Sequence, residues 1–203
     1  MNISELYSYS SDGIALPSTS FVLSPDGIET QRHCHPWRQV LFVPQASLDE
    51  FSISARVLRA NVVIRGGSNI HSLPSGTVIT IGSTKVRLTY HCEPCKKIKD
   101  FVSTKAILHK RGYFGQIITA GAITVGDRID VTAERLEPIP YPIADRVRWY
   151  LDQITGPISA KQLVSELGLS SSYCRTLPNI IRNRPDIDPN RITYLSTKKS
   201  RPQ

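Results

Sequence analysis

From residue 21 to residue 132 the chain is a succession of short β-branched runs cut by Gly, Pro, Ser and Asp, and this punctuation restricts the fold more than any other feature. Runs of that length and composition, bounded by turn formers, read as strands. Candidate strands cover 39–43, 62–65, 77–81, 85–90, 116–119 and 128–131. Alternation is cleanest in Lys85-Val86-Arg87-Leu88-Thr89-Tyr90, where apolar and polar side chains fall on opposite faces. Six such runs in one compact length predict a mainly β architecture, a barrel or a sandwich. Short helices are expected at 47–51, with Ser47 and Glu50 as a capping box, and around 102–109.

The pattern changes after Glu134-Arg135-Leu136-Glu137-Pro138-Ile139-Pro140-Tyr141-Pro142, where three prolines in five residues favour an extended connection. The expected organisation is a β domain over 1–135, a linker over 136–142 and a second domain over 143–203. In the second domain Ile143, Val147, Tyr150, Leu151 and Ile154 recur at helical spacing, and Gly156-Pro157 ends that helix. A second helix opens on a Ser159/Gln162 capping box, buries Ala160, Leu163, Val164 and Leu167, and stops at Gly168. A third begins near 170–172, with Pro178 expected to kink or restart it. Residues 191–195 read as a strand. Three helices and a strand give a winged-helix-like pattern.

Composition narrows the function classes. The 203 residues carry 25 Lys and Arg against 17 Asp and Glu, a net charge of +8, with 40% apolar residues, too apolar for a disordered chain. The longest apolar stretches, 40–44 and 61–64, fall far short of a membrane span. Residues 1–12 hold no Lys, no Arg and no apolar core of a signal, so a cytoplasmic location is expected. Four cysteines at irregular spacing do not make a disulfide scaffold. No general acid–base pair, phosphate loop or hydrolytic triad stands out.

The most chemical local sequence is His91-Cys92-Glu93-Pro94-Cys95-Lys96-Lys97, a Cys-x-x-Cys directly after a strand. Neighbouring cations favour thiolate, and a thiolate binds a soft metal or carries a persulfide. Taken alone, the pair reads equally as half a zinc site, a redox pair or two small buried hydrophobes. His33-Cys34-His35 with Cys92 and Cys95 forms a possible Cys2His2 zinc set.

The surrounding motifs resemble the MOSC domain, the module at the C-terminus of molybdenum cofactor sulfurases. They are Gly27-Ile28-Glu29-Thr30-Gln31-Arg32-His33, then Arg38-Gln39-Val40-Leu41-Phe42, then Arg59-Ala60-Asn61-Val62-Val63-Ile64-Arg65-Gly66, and a closing block from Lys110-Arg111-Gly112 to Val125-Gly126-Asp127. They appear in the family's order across residues 13–133. The resemblance implies a β-barrel whose cysteine binds the molybdenum of a pterin cofactor or carries sulfur. It assigns that role to Cys95, which Lys96-Lys97-Ile98 follow in the family's manner, with Cys92 as a resolving thiol and His33 as a further metal-site residue. Arg38, Arg59, Asn61, Arg65, Lys96 and Arg111 are the implied cradle for the cofactor's phosphate, since anions call for cations and backbone amides. Thr30 and Gln31 depart from the Gly-Asp pair many members place before the histidine. The same resemblance brings a pterin cofactor or a sulfur-donor protein as partner, molybdopterin as cofactor with zinc as the alternative, pyridoxal phosphate as a family ligand, and, for an enzyme, two-electron chemistry.

The segments from Asp145 to Ile154, Lys161 to Leu169 and Leu177 to Asn183 are similar to the helical half of alkylguanine-DNA alkyltransferases. The acceptor motif of that family, Pro-Cys-His-Arg, is replaced by Asp188-Pro189-Asn190-Arg191, so alkyl transfer is not expected. Residues 169–203 hold seven cations (Arg175, Arg182, Arg184, Arg191, Lys198, Lys199, Arg201) against Asp186 and Asp188, a net +5. A basic end of this kind reads either as a nucleic-acid contact or as a solvated tail.

Overall fold

The structure is a computed structural model that describes residues 1–31, 35–67 and 69–194. Two units divide the chain, Met1–Ile139 and Pro140–Gln203.

In the first unit the strands are β1 (Asn2–Tyr9), β2 (Ala15–Ser18), β3 (Ser20–Ser24), β4 (Gly27–Ile28), β5 (Val40–Pro44), β6 (Val62–Arg65), β7 (Thr77–Ile81), β8 (Thr84–His91), β9 (Tyr113–Thr119), β10 (Gly121–Thr124) and β11 (Ile129–Arg135). Eight of them form one sheet in the order β11-β7-β8-β9-β5-β6-β1-β2, while β10, β3 and β4 form a smaller one. Neighbours in the large sheet are antiparallel except β5 and β6, which run parallel with Phe42 opposite Val62. A parallel pair needs a crossover, and helices α1 (Gln45–Phe51) and α2 (Ala55–Leu58) lie in it.

The expected closed barrel does not form. β11 and β2 end the large sheet, and the start of β1 meets the 126–129 segment along one short stretch, where Asn2 bridges Arg128, Ile129 N–H donates to Met1 O at 2.7 Å, and Ile3 N–H to Asp127 O and Gly126 N–H to Ile3 O each span 2.9 Å. From Leu6 onward β2 occupies that side of β1, which leaves no free backbone for closure. The core of the unit gathers Leu6, Leu23, Phe42, Val62, Ile79, Val86, Leu88 and Ile117 from successive strands.

Two helix expectations need correction. Helix α1 begins at Gln45 after Pro44, without a side-chain cap, and Ser47 is a buried residue inside it. Residues 102–109 form turns rather than a helix: of that stretch only Ile107 is buried, and His109 takes a left-handed φ of 64°. One buried side chain gives a helix no apolar stripe to dock.

The second unit holds α3 (Ile143–Leu151), α4 (Ala160–Glu166) and α5 (Tyr173–Ile181), plus a two-residue parallel pair, β12 (Ile158–Ser159) with β13 (Ile192–Thr193). Ser159 caps α4 by accepting from Gln162 N–H at 3.1 Å. Pro178 sits inside α5. Val147, Leu151, Leu163, Leu167 and Leu177 close a separate core. Arg146 is fully buried and donates to the carbonyls of Pro140 (2.9 Å), Tyr141 (2.8 Å) and Leu167 (3.4 Å). Leu195, the end of the expected strand, lies outside the described residues. Among the described residues no helix is long and apolar enough to cross a membrane.

Candidate functional site

The Cys-x-x-Cys turn leaves the end of β8 and is held from two directions. Cys92 N–H donates to Gly112 O at 2.9 Å, and a guanidinium N–H of Arg111 donates to Glu93 O. Gly112 makes that approach possible: its φ is 134°, and a Cβ there would stand 2.7 Å from Phe42 O. Only glycine accepts both constraints. Further along, Ile98 N–H bonds Cys95 O at 3.2 Å, and Ile98, fully buried, anchors the 3-10 turn Lys96–Ile98.

The two sulfurs end in different environments. Cys92 is 3% exposed, and burial pushes its thiol up to about 11, outweighing the nearby positive charges of Arg111 and Arg38. Removing a thiolate from water costs more here than two cations return. Cys92 is therefore a neutral thiol at physiological pH. Cys95 is half-buried.

Of the other residues named from sequence, Arg38 and Arg111 stand with this turn. Arg111 is 6% exposed, and its Nε is buried without a hydrogen-bond partner among the described residues. Arg38 stacks over Phe114 at 4.4 Å. Arg59 and Asn61 form a second group. The Arg59 guanidinium lies 5.1 Å from the Tyr9 ring centroid, and Asn61 accepts from Leu41 N–H while donating to Tyr7 O and Gln31 Oε1. The Asn61 amide is thus occupied in tying β5, β1 and the 28–31 turn together. Arg65 is elsewhere again, exposed on the wall of a cleft of about 790 Å³ that it shares with His71, Lys110 and Glu50.

His33, Cys34 and the Lys96 side chain lie outside what the structure describes, and the zinc set that includes His33 and Cys34 falls there with them. His35 works as a cap, since its Nδ1 accepts from Trp37 N–H at 3.2 Å at the start of the turn Pro36–Arg38. Among the described residues no three His, Cys, Asp or Glu side chains form a metal cage.

A cluster of His71, His91 and His109 escaped the sequence reading. These residues are 20 and 18 positions apart and come from three separate segments, so no local spacing announces them. His91 Nδ1 and His109 Nδ1 are 3.2 Å apart, and the His71 ring centroid is 5.7 Å from that of His91.

Several cations of the second unit have structural work. Arg184 pairs with Asp145 at 2.5 Å and Asp186 at 2.7 Å, and holds the Asp186 carboxyl far below the usual carboxylate range. Arg191 donates to the carbonyls of Leu151 (2.9 Å), Ile154 (2.7 Å) and Gly156 (3.2 Å). The Asp188–Arg191 segment is thus a clamp, with Asp188 capping the turn Pro189–Arg191. Lys198, Lys199 and Arg201 lie outside the described residues.

Comparison with known proteins follows the same lines. The structure is similar to the YuaD protein from Bacillus subtilis, with a TM-score of 0.58 and 18% identity, over 67% of this chain and 96% of that one. It is similar to YiiM from Escherichia coli, with a TM-score of 0.53 and 18% identity, over 94% and 98% of the two chains. YiiM from Geobacillus stearothermophilus gives a TM-score of 0.53 at 15% identity, over 89% and 98%. At these identities the likeness is one of fold. A search of curated proteins returns no significant match. The MOSC domain matches residues 29–130, half of the sequence, spanning the strands on either side of the cysteine turn and the turn itself, and the chain belongs to the MOSC domain family.

Proposed function

We propose that the protein binds the molybdenum cofactor or carries sulfur as a persulfide, with Cys95 as the reacting sulfur. The observation that supports this reading is a half-buried Cys95 in the turn whose Glu93 carbonyl is held by Arg111, a buried guanidinium whose Nε has no partner among the described residues. A buried donor left unpaired costs about 1–3 kcal/mol, and an anionic ligand at the turn would relieve it. In this assignment Cys95 supplies the soft thiolate that a dithiolene-held molybdenum accepts. Arg111 and Arg38 face the anionic part of the cofactor. When bound, such a cofactor supplies two-electron oxidation or reduction.

As a sulfur carrier, the Cys95 thiolate attacks the outer sulfur of a donor persulfide. The donor's S–S bond breaks, a new S–S bond forms on Cys95, and the donor leaves as a thiolate. Cys92, neutral and enclosed, does not compete for the donor. Once Cys95 is loaded, the small thiolate fraction of Cys92 discharges it slowly by attacking Cys95 Sγ, forming the Cys92–Cys95 disulfide and releasing hydrogen sulfide. The second unit serves in this reading as a winged-helix-like appendage without an acceptor cysteine.

The test is cofactor and sulfur analysis of protein made in a molybdenum-replete host. Molybdenum with pterin, or a persulfide mapped to Cys95, supports the reading when Cys95→Ala loses it and Cys92→Ala retains it. Equal loading of Cys95→Ala and the unmodified protein overturns it.

A further inference from the structure

The histidine cluster lies outside the chemistry assigned to Cys95. His91 ends β8 opposite Tyr113 of β9, and its ring meets the Tyr113 ring edge-on at 4.5 Å. His91 is the last residue of β8, and Cys92 begins the turn beyond it. His109 comes from the turns before β9, where the backbone holds it at a φ of 64°. A histidine in the left-handed region is uncommon, and such a conformation persists only where its surroundings fix it. What it achieves is contact: the two Nδ1 atoms meet at 3.2 Å, with the rings nearly perpendicular.

We infer that His91 and His109 form a binding site for a borderline divalent transition metal such as Zn²⁺. Around a tetrahedral ion with metal–nitrogen bonds of about 2.0–2.1 Å, two ligand nitrogens stand about 3.3 Å apart, close to the separation seen. The His91 ring also bonds the His71 backbone. A metal held between the two Nδ1 atoms requires the His91 proton on Nε2, the arrangement by which an outer carbonyl orients a metal-ligating histidine. The contact between the two rings is exposed, with His109 an exposed residue and His91 half-buried, so water can fill the remaining positions. Since no third His, Cys, Asp or Glu stands in place among the described residues, the site is an open two-histidine one. His71, whose buried Nε2 lacks a partner among the described residues, is the nearest further imidazole. Without metal the pair is a hydrogen bond in which one Nδ1 donates to the other. Binding requires His109 to carry its proton on Nε2 instead.

Zinc ion alone, titrated into the full chain by calorimetry, tests the site. One zinc per chain with micromolar affinity is expected, weakened at least tenfold in His91→Gln and in His109→Asn. Asn tolerates the left-handed backbone, so the second variant keeps the fold, and circular dichroism verifies this. The Cys92→Ala/Cys95→Ala double variant is expected to bind zinc unchanged, which separates this site from the cysteine turn. Millimolar or weaker binding by the unmodified protein overturns the inference. So does zinc binding that disappears with the cysteines while surviving both histidine variants.

Discussion

Cys92 and Cys95 are three residues apart in one turn, share the same neighbouring cations in sequence, and differ in almost everything that governs a thiol. Cys92 is enclosed, bonded through its backbone to Gly112, and raised by burial to about 11. Cys95 is half-buried, its carbonyl accepting from Ile98 N–H. The lesson is that a positive neighbourhood does not by itself make a reactive sulfur, because the desolvation of a buried thiolate exceeds the attraction of two nearby guanidinium groups. Reactivity follows the path to water.

The largest expected effect separates the two sulfurs outright. Cys95→Ala reduces molybdenum or persulfide content at least tenfold and leaves stability within about 0.5 kcal/mol, as for a surface change. Cys92→Ala does the reverse, retaining the load and losing about 1–2 kcal/mol as a buried side chain is truncated. Elemental analysis and denaturant unfolding of the two variants make the comparison. Next comes Gly112→Ala, which sets a Cβ against Phe42 O in a backbone conformation that side chains avoid. A loss of about 2–4 kcal/mol is expected, together with faster alkylation of Cys92 as the turn loosens; unchanged Cys92 alkylation would show that Gly112 does not hold the enclosure.

A smaller effect comes from acid. His71 is held at about 4 against an ordinary 6.5, with burial the main cause and the neighbouring His91, His109 and Lys110 adding to it. Between those values the unfolded chain binds more protons than the folded one, so stability rises with pH across the window. Full stability is present above about pH 6.5 and declines as pH falls toward 4. Denaturant unfolding at pH 7 and pH 5 should differ by about 2 kcal/mol from this residue, and His71→Asn should flatten the difference. The smallest effect is that of Arg111→Met. It removes the bond to Glu93 O and the unpartnered Nε together, for a net cost of about 1 kcal/mol, measurable by thermal unfolding.

Most of the large sheet was legible in the sequence, because strands read by period-2 alternation and turn punctuation are local features. The runs at 62–65 and 77–81 coincide with β6 and β7, and of the Ser159/Gln162 capping box the bond from Gln162 N–H to the Ser159 hydroxyl is present. The first four strands, from Asn2 to Ile28, carry mixed burial and frequent Ser, Pro and Gly, and only their pairing partners make them strands. Barrel closure was not legible either, since the β2 pairing that blocks it depends on the 10–14 turn folding Ala15–Ser18 back on β1. In the candidate site, Cys95 and Arg111 follow from motif order. The saturation of the Asn61 amide and the separation of Arg65 from the cysteine turn depend on which strand lies beside which. The histidine cluster is a product of tertiary structure alone.

Site-resolved alkylation, read by mass spectrometry before and after exposure to a persulfide donor, tests the difference between the two thiols most directly. At pH 7.5 Cys95 should react at least about a hundredfold faster than Cys92, in line with the scarcity of thiolate on a thiol near 11, and the added sulfur should map to Cys95 alone. Equal rates, or sulfur found first on Cys92, would contradict the assignment.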